Sequence, residues 1–237
     1  MEEMNLKILT KLEDMFQRSP QLLADQPTLK KAIRATFGVD VSNVFFKEMS
    51  QLADRIDELV LEKYFSDVWQ SRTKKYKYSG LKLIDEVNNL KPKAVLDVGC
   101  GFNEFKGKIH NLTGIDPYNS KADIKVTITD YAPSVEGIPL TEDKKFDVII
   151  CLGSINFGSA DKIFRELENI MRISAPAAKM YFRVNPGLQH AKPEAKWITF
   201  YPWESTFIVN CADYFKVELL ELRDDSNGRL YFVWAKP

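Results

Sequence analysis

Residues 94–101 read Ala-Val-Leu-Asp-Val-Gly-Cys-Gly, and Asp116 closes the run Leu-Thr-Gly-Ile-Asp nineteen positions after Asp97. Val95, Leu96 and Val98 form an apolar run that stops abruptly at Gly99-x-Gly101, the pattern of a buried parallel strand entering a tight turn. Glycine lets the backbone turn there with positive φ and lets a ligand lie against bare main chain. A second apolar run ending in an acid, about twenty residues on, matches one strand–crossover–strand step and returns that acid beside the first turn. Together the two runs demand an open α/β sheet with a ligand site beyond its strand ends.

The residues just past the turn narrow the ligand. A dinucleotide site has a third glycine opening a helix whose N-terminus receives the pyrophosphate. This chain continues Phe102-Asn103-Glu104, and Glu104 would repel a phosphate. Asp97 and the glycine turn suit an adenosine that carries an amino-acid group and a sulfonium, with Asp116 accepting from ribose hydroxyls. The segment resembles motif I of the class I S-adenosylmethionine-dependent methyltransferases, whose hydrophobic run and Asp/Glu-x-Gly-x-Gly are matched by Asp97-Val98-Gly99-Cys100-Gly101. The resemblance implies a doubly wound, Rossmann-like α/β sheet, mostly parallel with a C-terminal antiparallel hairpin strand, over roughly residues 76–237. It also implies S-adenosylmethionine as cofactor.

A chain of 237 residues holds one large domain, or a domain with an extension. Residues 1–75 read as a helical N-terminal extension, with Phe45, Met49, Leu52, Ile56 and Leu59 forming an apolar stripe expected to pack on the catalytic domain. Lys+Arg and Asp+Glu stand at 33 each, so no global charge pulls the chain toward nucleic acid or an anionic membrane, and a small-molecule acceptor is favoured. No apolar run reaches the length of a membrane span and the N-terminus lacks a signal-peptide core, so a cytoplasmic protein is expected. Cys100, Cys151 and Cys211 are odd in number and set among apolar residues, as buried thiols would be. With His110 and His190 as the two histidines, a His-rich metal centre is excluded and no metal is expected.

Apolar patterning predicts a helix over 81–90, strands over 95–98, 112–115, 124–128, 146–152 and 180–184, and a first crossover too short for a full helix. A helix over 160–173 is also expected, with Ile163, Leu167 and Ile170 on one face, then a helix over 203–213 and a strand at 216–222. The turn Asp224–Gly228 and a strand at 230–235 complete a hairpin. Five parallel strands and a hairpin strand are therefore expected.

Asp130 and Tyr131 come after the third expected strand, where the resemblance implies contacts to adenine; a loop Asp capping the next turn is the competing reading. Gly153, Ser154 and Asn156 lie beyond the fourth strand and should face the sulfonium and the acceptor. Asp147 begins that strand, at the far end, and reads as structural. The loop lacks the Pro-Pro-aromatic signature of methyltransferases acting on base amino groups, and Cys151 lies within the strand rather than after a proline. His190, in the loop after the fifth strand, is the candidate general base, or else a solvent-exposed loop histidine. Trp197, Phe200, Tyr201 and Trp203 either wall the acceptor pocket or pack a lid helix onto the domain; Trp197 and Tyr201 are the acceptor-contact candidates. Arg72–Tyr78, a basic run interleaved with aromatics, is a phosphate-substrate site, part of the cofactor site, or a solvated linker. Three functions stay open on these residues: an enzyme methylating an oxygen or nitrogen, a methyltransferase-like fold kept as a binding or assembly module, and an RNA methyltransferase.

Overall fold

The computed structural model describes residues 61–62, 64–65, 79–132, 145–185, 200–225 and 228–237. The chain divides into two compact units, Met1–Tyr64 and Phe65–Pro237. Most of the first lies outside the described residues, and with it the expected stripe from Phe45 to Leu59. The basic run Arg72–Tyr78 lies outside them too.

The second unit is built on a six-stranded sheet in the order β2-β1-β3-β4-β6-β5. Its strands are β1 (Val95–Val98), β2 (Leu112–Ile115), β3 (Phe146–Leu152), β4 (Ser174–Val184), β5 (Glu218–Asp225) and β6 (Arg229–Ala235). The first four run parallel, and β6 pairs antiparallel with both β4 and β5. The helices are α1 (Leu83–Asn89), α2 (Ile128–Tyr131), α3 (Ala160–Ile173) and α4 (Ser205–Phe215). One sheet face packs Leu96, Ile149, Met180, Phe182, Phe232 and Trp234 against α2, α3 and α4. The other packs Val95, Ile150, Tyr181 and Val233 against α1 and against Phe105 and Ile109 of the first crossover.

Helix α3 has the expected bounds because its signals agree: Ser159 Oγ accepts from the Lys162 N–H at 3.3 Å, and Ile163, Leu167 and Ile170 are buried together. It runs straight into β4, with Ser174 Oγ donating to the Ile170 carbonyl at 2.6 Å. Strand β4 therefore starts six residues earlier than expected, and its pairing with β3 slips between Phe146 and Val148.

The expected strand at 124–128 does not form. Ile124 makes one isolated bridge to Ile115, and the chain then turns into α2, because Thr127 Oγ1 caps that helix by accepting from the Asp130 N–H at 3.0 Å. Four parallel strands result, not five, and β2 is left at the edge. Side chains finish that edge: Asp123 Oδ2 accepts from the Gly114 N–H at 2.8 Å, and Lys106 Nζ donates to the Leu112 carbonyl at 3.0 Å. An edge so blocked cannot template another strand. At the other end, β5 runs on to Asp225, so the expected turn begins later, and α4 begins at Ser205 because Trp203 is drawn into the core.

Candidate cofactor and active site

Strand β1 delivers its carboxyl end into a chain reversal that glycine permits. Gly99 and Gly101 sit at φ +66° and +54°, and a methyl group on Gly99 would collide with the Ser154 side chain. Strands β1 and β3 thus bring Gly99 and Ser154 into contact, joining two of the expected cofactor-site segments. Past Gly101 the crossover is a series of turns with no helix before β2. Asn103 takes a positive φ of 57° within it and donates from Nδ2 to the Lys121 carbonyl at 3.0 Å.

Asp116 stands at the end of β2 beside this turn. Its Oδ2 accepts from the Gly101 N–H at 3.0 Å, and its Oδ1 from the Tyr118 and Asn119 N–H groups at 2.8 and 2.9 Å. The spacing from Asp97 to Asp116 is therefore realised as a physical link between the two loops. Three amides hold the carboxylate: Oδ1 accepts two of them, and Oδ2, accepting one, keeps a lone pair for a further donor.

Asp97 lies inside β1 between Gly114 and Ile150, which offer no polar side chain. It is 2% exposed, and its Oδ2 has no hydrogen-bond partner. Burial, with the Asp116 carboxylate nearby, pushes the Asp97 carboxyl up to about 8. A hydrogen-bond donor is what this orphaned oxygen lacks, so the pair fits a ligand that brings N–H or O–H donors, a positively charged amine among them. Burial first, and then the same acids, raise the Cys100 thiol, and burial raises Cys151 and Cys211, so all three are inert core thiols as expected.

The loop after β3 serves as a joint. Asn156 Oδ1 accepts from the Asn185 N–H at the end of β4 at 2.8 Å, and its carbonyl accepts from the Tyr201 N–H at 2.9 Å. Asn156 is buried, so the structure gives this acceptor-contact candidate a positioning task. Trp203 is fully buried, with Nε1 donating to the Ile155 carbonyl at 3.0 Å, and Tyr201 packs edge-on against it. Of the two readings of the aromatic cluster, Trp203 obeys core packing, whereas Phe200 bridges to Phe157 at the loop. Trp197 and His190 lie outside the described residues.

Asp130 is exposed in the first turn of α2, accepting from the Thr127 hydroxyl at 2.7 Å, while Tyr131 is half-buried against Phe146. The cap of α2 is Thr127, and Asp130 sits inside the helix with its carboxylate bonded to that cap's hydroxyl rather than capping a following turn. Asp147 Oδ2 accepts from the Lys93 and Ala94 N–H groups at 2.6 and 3.1 Å, at the end of the sheet away from the glycine turn, and is structural as expected.

An aromatic row escaped the sequence reading. Tyr118, in the loop held by Asp116, stacks on Phe65 with ring centroids 5.8 Å apart; Phe65 meets Phe157 edge-on at 5.4 Å; and Phe157 meets Phe200 at 5.3 Å. The row links the loop after β2 to the loop after β3, the two segments that flank the glycine turn. Tyr118, two residues beyond Asp116, was the one legible signal, an aromatic next to an acid the sequence already singles out.

No protein-family model matches the chain, and no curated protein sequence is similar to it. Solved structures do match. A 1,6-didemethyltoxoflavin-N1-methyltransferase from Burkholderia thailandensis, solved with 1,6-didemethyltoxoflavin and S-adenosylhomocysteine, matches at a TM-score of 0.54 and 13% identity, over 81% of this chain and 92% of its own. The N-methyltransferase NodS from Bradyrhizobium japonicum, in complex with S-adenosylhomocysteine, matches at 0.51 and 12%, over 76% and 98%. The magnesium protoporphyrin IX methyltransferase of Synechocystis, solved with S-adenosylmethionine bound, matches at 0.50 and 11%, over 76% and 97%. The fold is that of the class I S-adenosylmethionine-dependent methyltransferases. Among the described residues no helix is long and apolar enough to cross a membrane, and no cluster of His, Cys, Asp and Glu could hold a metal ion.

Proposed function

We propose that this chain is a methyltransferase that takes its methyl group from S-adenosylmethionine and passes it to an oxygen or nitrogen of a small-molecule acceptor. The observation that carries the reading is the Asp97–Asp116 pair at the Gly99–Gly101 turn: an orphaned buried carboxyl beside an amide-held carboxylate. Asp116 is suited to ribose hydroxyls, the glycine turn and Asp97 to the amino-acid end, and Asp130 and Tyr131 to adenine. The cofactor supplies an already activated methyl group, so the protein's contribution is chiefly placement, which can lower the barrier by about 7–11 kcal/mol. Ser154 lies against Gly99 of the turn, with Gly153 beside it in the chain, and the row from Tyr118 to Phe200 is suited to exclude water. His190 is the proposed general base where the acceptor must lose a proton.

A small, planar acceptor agrees with an aromatic wall, and two of the similar structures act on such compounds, a didemethyltoxoflavin and a magnesium protoporphyrin. One observation favours a second reading, a fold kept as a binding module: no helix comes after Gly101, so the turn has no helix terminus to steady it. Titration calorimetry with S-adenosylmethionine and S-adenosylhomocysteine tests the proposal, with Gly99→Arg as the blocked control. Asp116→Ala should weaken binding by more than about 1.5 kcal/mol, since a charge-assisted pair is lost. Unchanged affinity in that variant removes the ribose assignment, and absence of binding in the wild type removes the proposal. Binding without turnover on any acceptor supports the module reading.

A further inference from the structure

The acids at the glycine turn bear on which ligand the site prefers, an inference that rests on the cofactor reading above. Asp97 is enclosed by strand neighbours without polar side chains, and its Oδ2 has no hydrogen-bond partner. The groups that face it come from each adjoining element. Asp116 stands at the end of β2 and Cys100 in the turn, while Asp123 acts on Cys100 from the segment that blocks the β2 edge; Cys151, next to Ile150 on β3, belongs to the opposite sheet face, where Glu166 of α3 also acts on it. Among the described residues the charged group acting on Asp97 is thus another acid. A buried carboxyl with apolar strand neighbours and a carboxylate nearby favours its uncharged form.

We infer that a cationic cofactor enters this site in exchange for a proton, which leaves the Asp97 carboxyl for solvent as the ligand's positive charge takes its place. The exchange breaks one O–H bond and forms none to the ligand. It makes the site a charge reader: a sulfonium ligand displaces the proton fully, whereas the thioether left after methyl loss carries one positive charge fewer and displaces it less. Product is thereby disfavoured relative to donor by the protein's own titration. Burial between apolar neighbours, with no hydrogen-bond partner at Oδ2, favours the uncharged Asp97 carboxyl that the exchange requires.

Calorimetry of the full chain in buffers of different ionisation enthalpy counts the protons released as S-adenosylmethionine binds. The ligand's own amine titrates near pH 8, so the quantity read is the difference between wild type and Asp97→Asn, in which ligand chemistry cancels. At pH 7 the wild type should release about one proton more than the variant, and the difference should vanish by about pH 9.5. The same difference should be smaller with S-adenosylhomocysteine. Infrared difference spectra of the wild type alone give a second reading: the stretch of a protonated carboxyl should disappear on adding S-adenosylmethionine, and should still do so in Glu166→Gln, whose buried acid lies elsewhere. Equal proton counts in two proteins that both bind, or an unchanged carboxyl band, overturn the exchange while leaving the methyltransferase reading intact. Failure of the wild type to bind either ligand overturns both.

Discussion

Strands β3, β4 and β6 carry aromatic and aliphatic side chains on both faces, whereas β1 and β2 are joined and finished by polar side chains bonded to main chain. On the first side Phe182 stacks on Phe232 at 4.6 Å, and Trp234, Trp203 and Phe215 pack around them. On the second, Asn88 bonds the main chain of Lys108 and His110, Asn111 bonds the Pro92 carbonyl, and Asp116 and Asp123 hold loop and strand amides. Apolar packing is non-directional and grows with area, so it suits the half that must hold the fold. Hydrogen bonds are directional and individually modest, so they suit the half that must present a turn and two acids in one geometry. The site-bearing half dispenses with a crossover helix and a fifth parallel strand because its neighbour supplies the burial.

The most severe test of this contrast is to hollow the packed half. Trp203→Ala should cost about 3–5 kcal/mol in denaturant unfolding, because a fully buried indole and its bond to Ile155 are both lost. A loss below about 1 kcal/mol would deny that half its anchoring role.

Next in size is a pH effect on the site half. Burial raises the carboxyls of Asp97 and Glu166 to about 8 and about 7, so the folded chain keeps protons that the unfolded chain gives up near pH 4. Stability should therefore fall as pH climbs from about 4 to about 8 and level off beyond. At pH 8.5 Asp97→Asn should be more stable than wild type, on the order of 5 kcal/mol at most because relaxation around the buried charge lowers it, with the gap closing toward pH 4. A wild-type melting temperature flat across that range would show that Asp97 is charged and satisfied when folded.

Smaller still is the loss of one polar stitch. Asp123→Ala removes the acceptor of the Gly114 N–H and the partner of Lys106, and should cost about 1–2 kcal/mol. Hydrogen exchange should quicken at Gly114 while amides of the β4–β6 ladder stay protected; uniform quickening would mean that the halves are one cooperative unit.

The smallest expected effect lies at Asp130→Asn, which keeps an acceptor for the Thr127 hydroxyl and should weaken S-adenosylmethionine binding less than about tenfold. A larger loss would move adenine recognition to the centre of the site.

Both halves were legible in part: β1 and β2 have the expected bounds, whereas β4 starts six residues early. Phe146–Leu152 and Ala160–Ile173 have the bounds their patterning predicts, since continuous burial and a 3.6-residue stripe each leave one solution. The site half misled where polar side chains compete with ladders. Ile124-Lys-Val-Thr-Ile reads as strand, but Thr127 caps a helix instead, and Asp123 fills the edge that a fifth strand would have covered. The aromatic row was hidden for a different reason: Phe65, Tyr118, Phe157 and Phe200 are far apart along the chain and carry no common spacing.

The motif from Val95 to Gly101 and its partner Asp116 were determined by sequence alone, because a buried strand ending at glycine, with an acid one crossover later, has few ways to fold. So were the sheet class and the inert cysteines. The tertiary structure alone decided that Asp97 would be an orphan, that Asn156 would be a joint rather than a free contact, and that Trp203 would enter the core. Each of those depends on what a residue meets across the sheet. Local propensity cannot specify what surrounds Asp97 or the distance from Asn156 to Asn185; packing does.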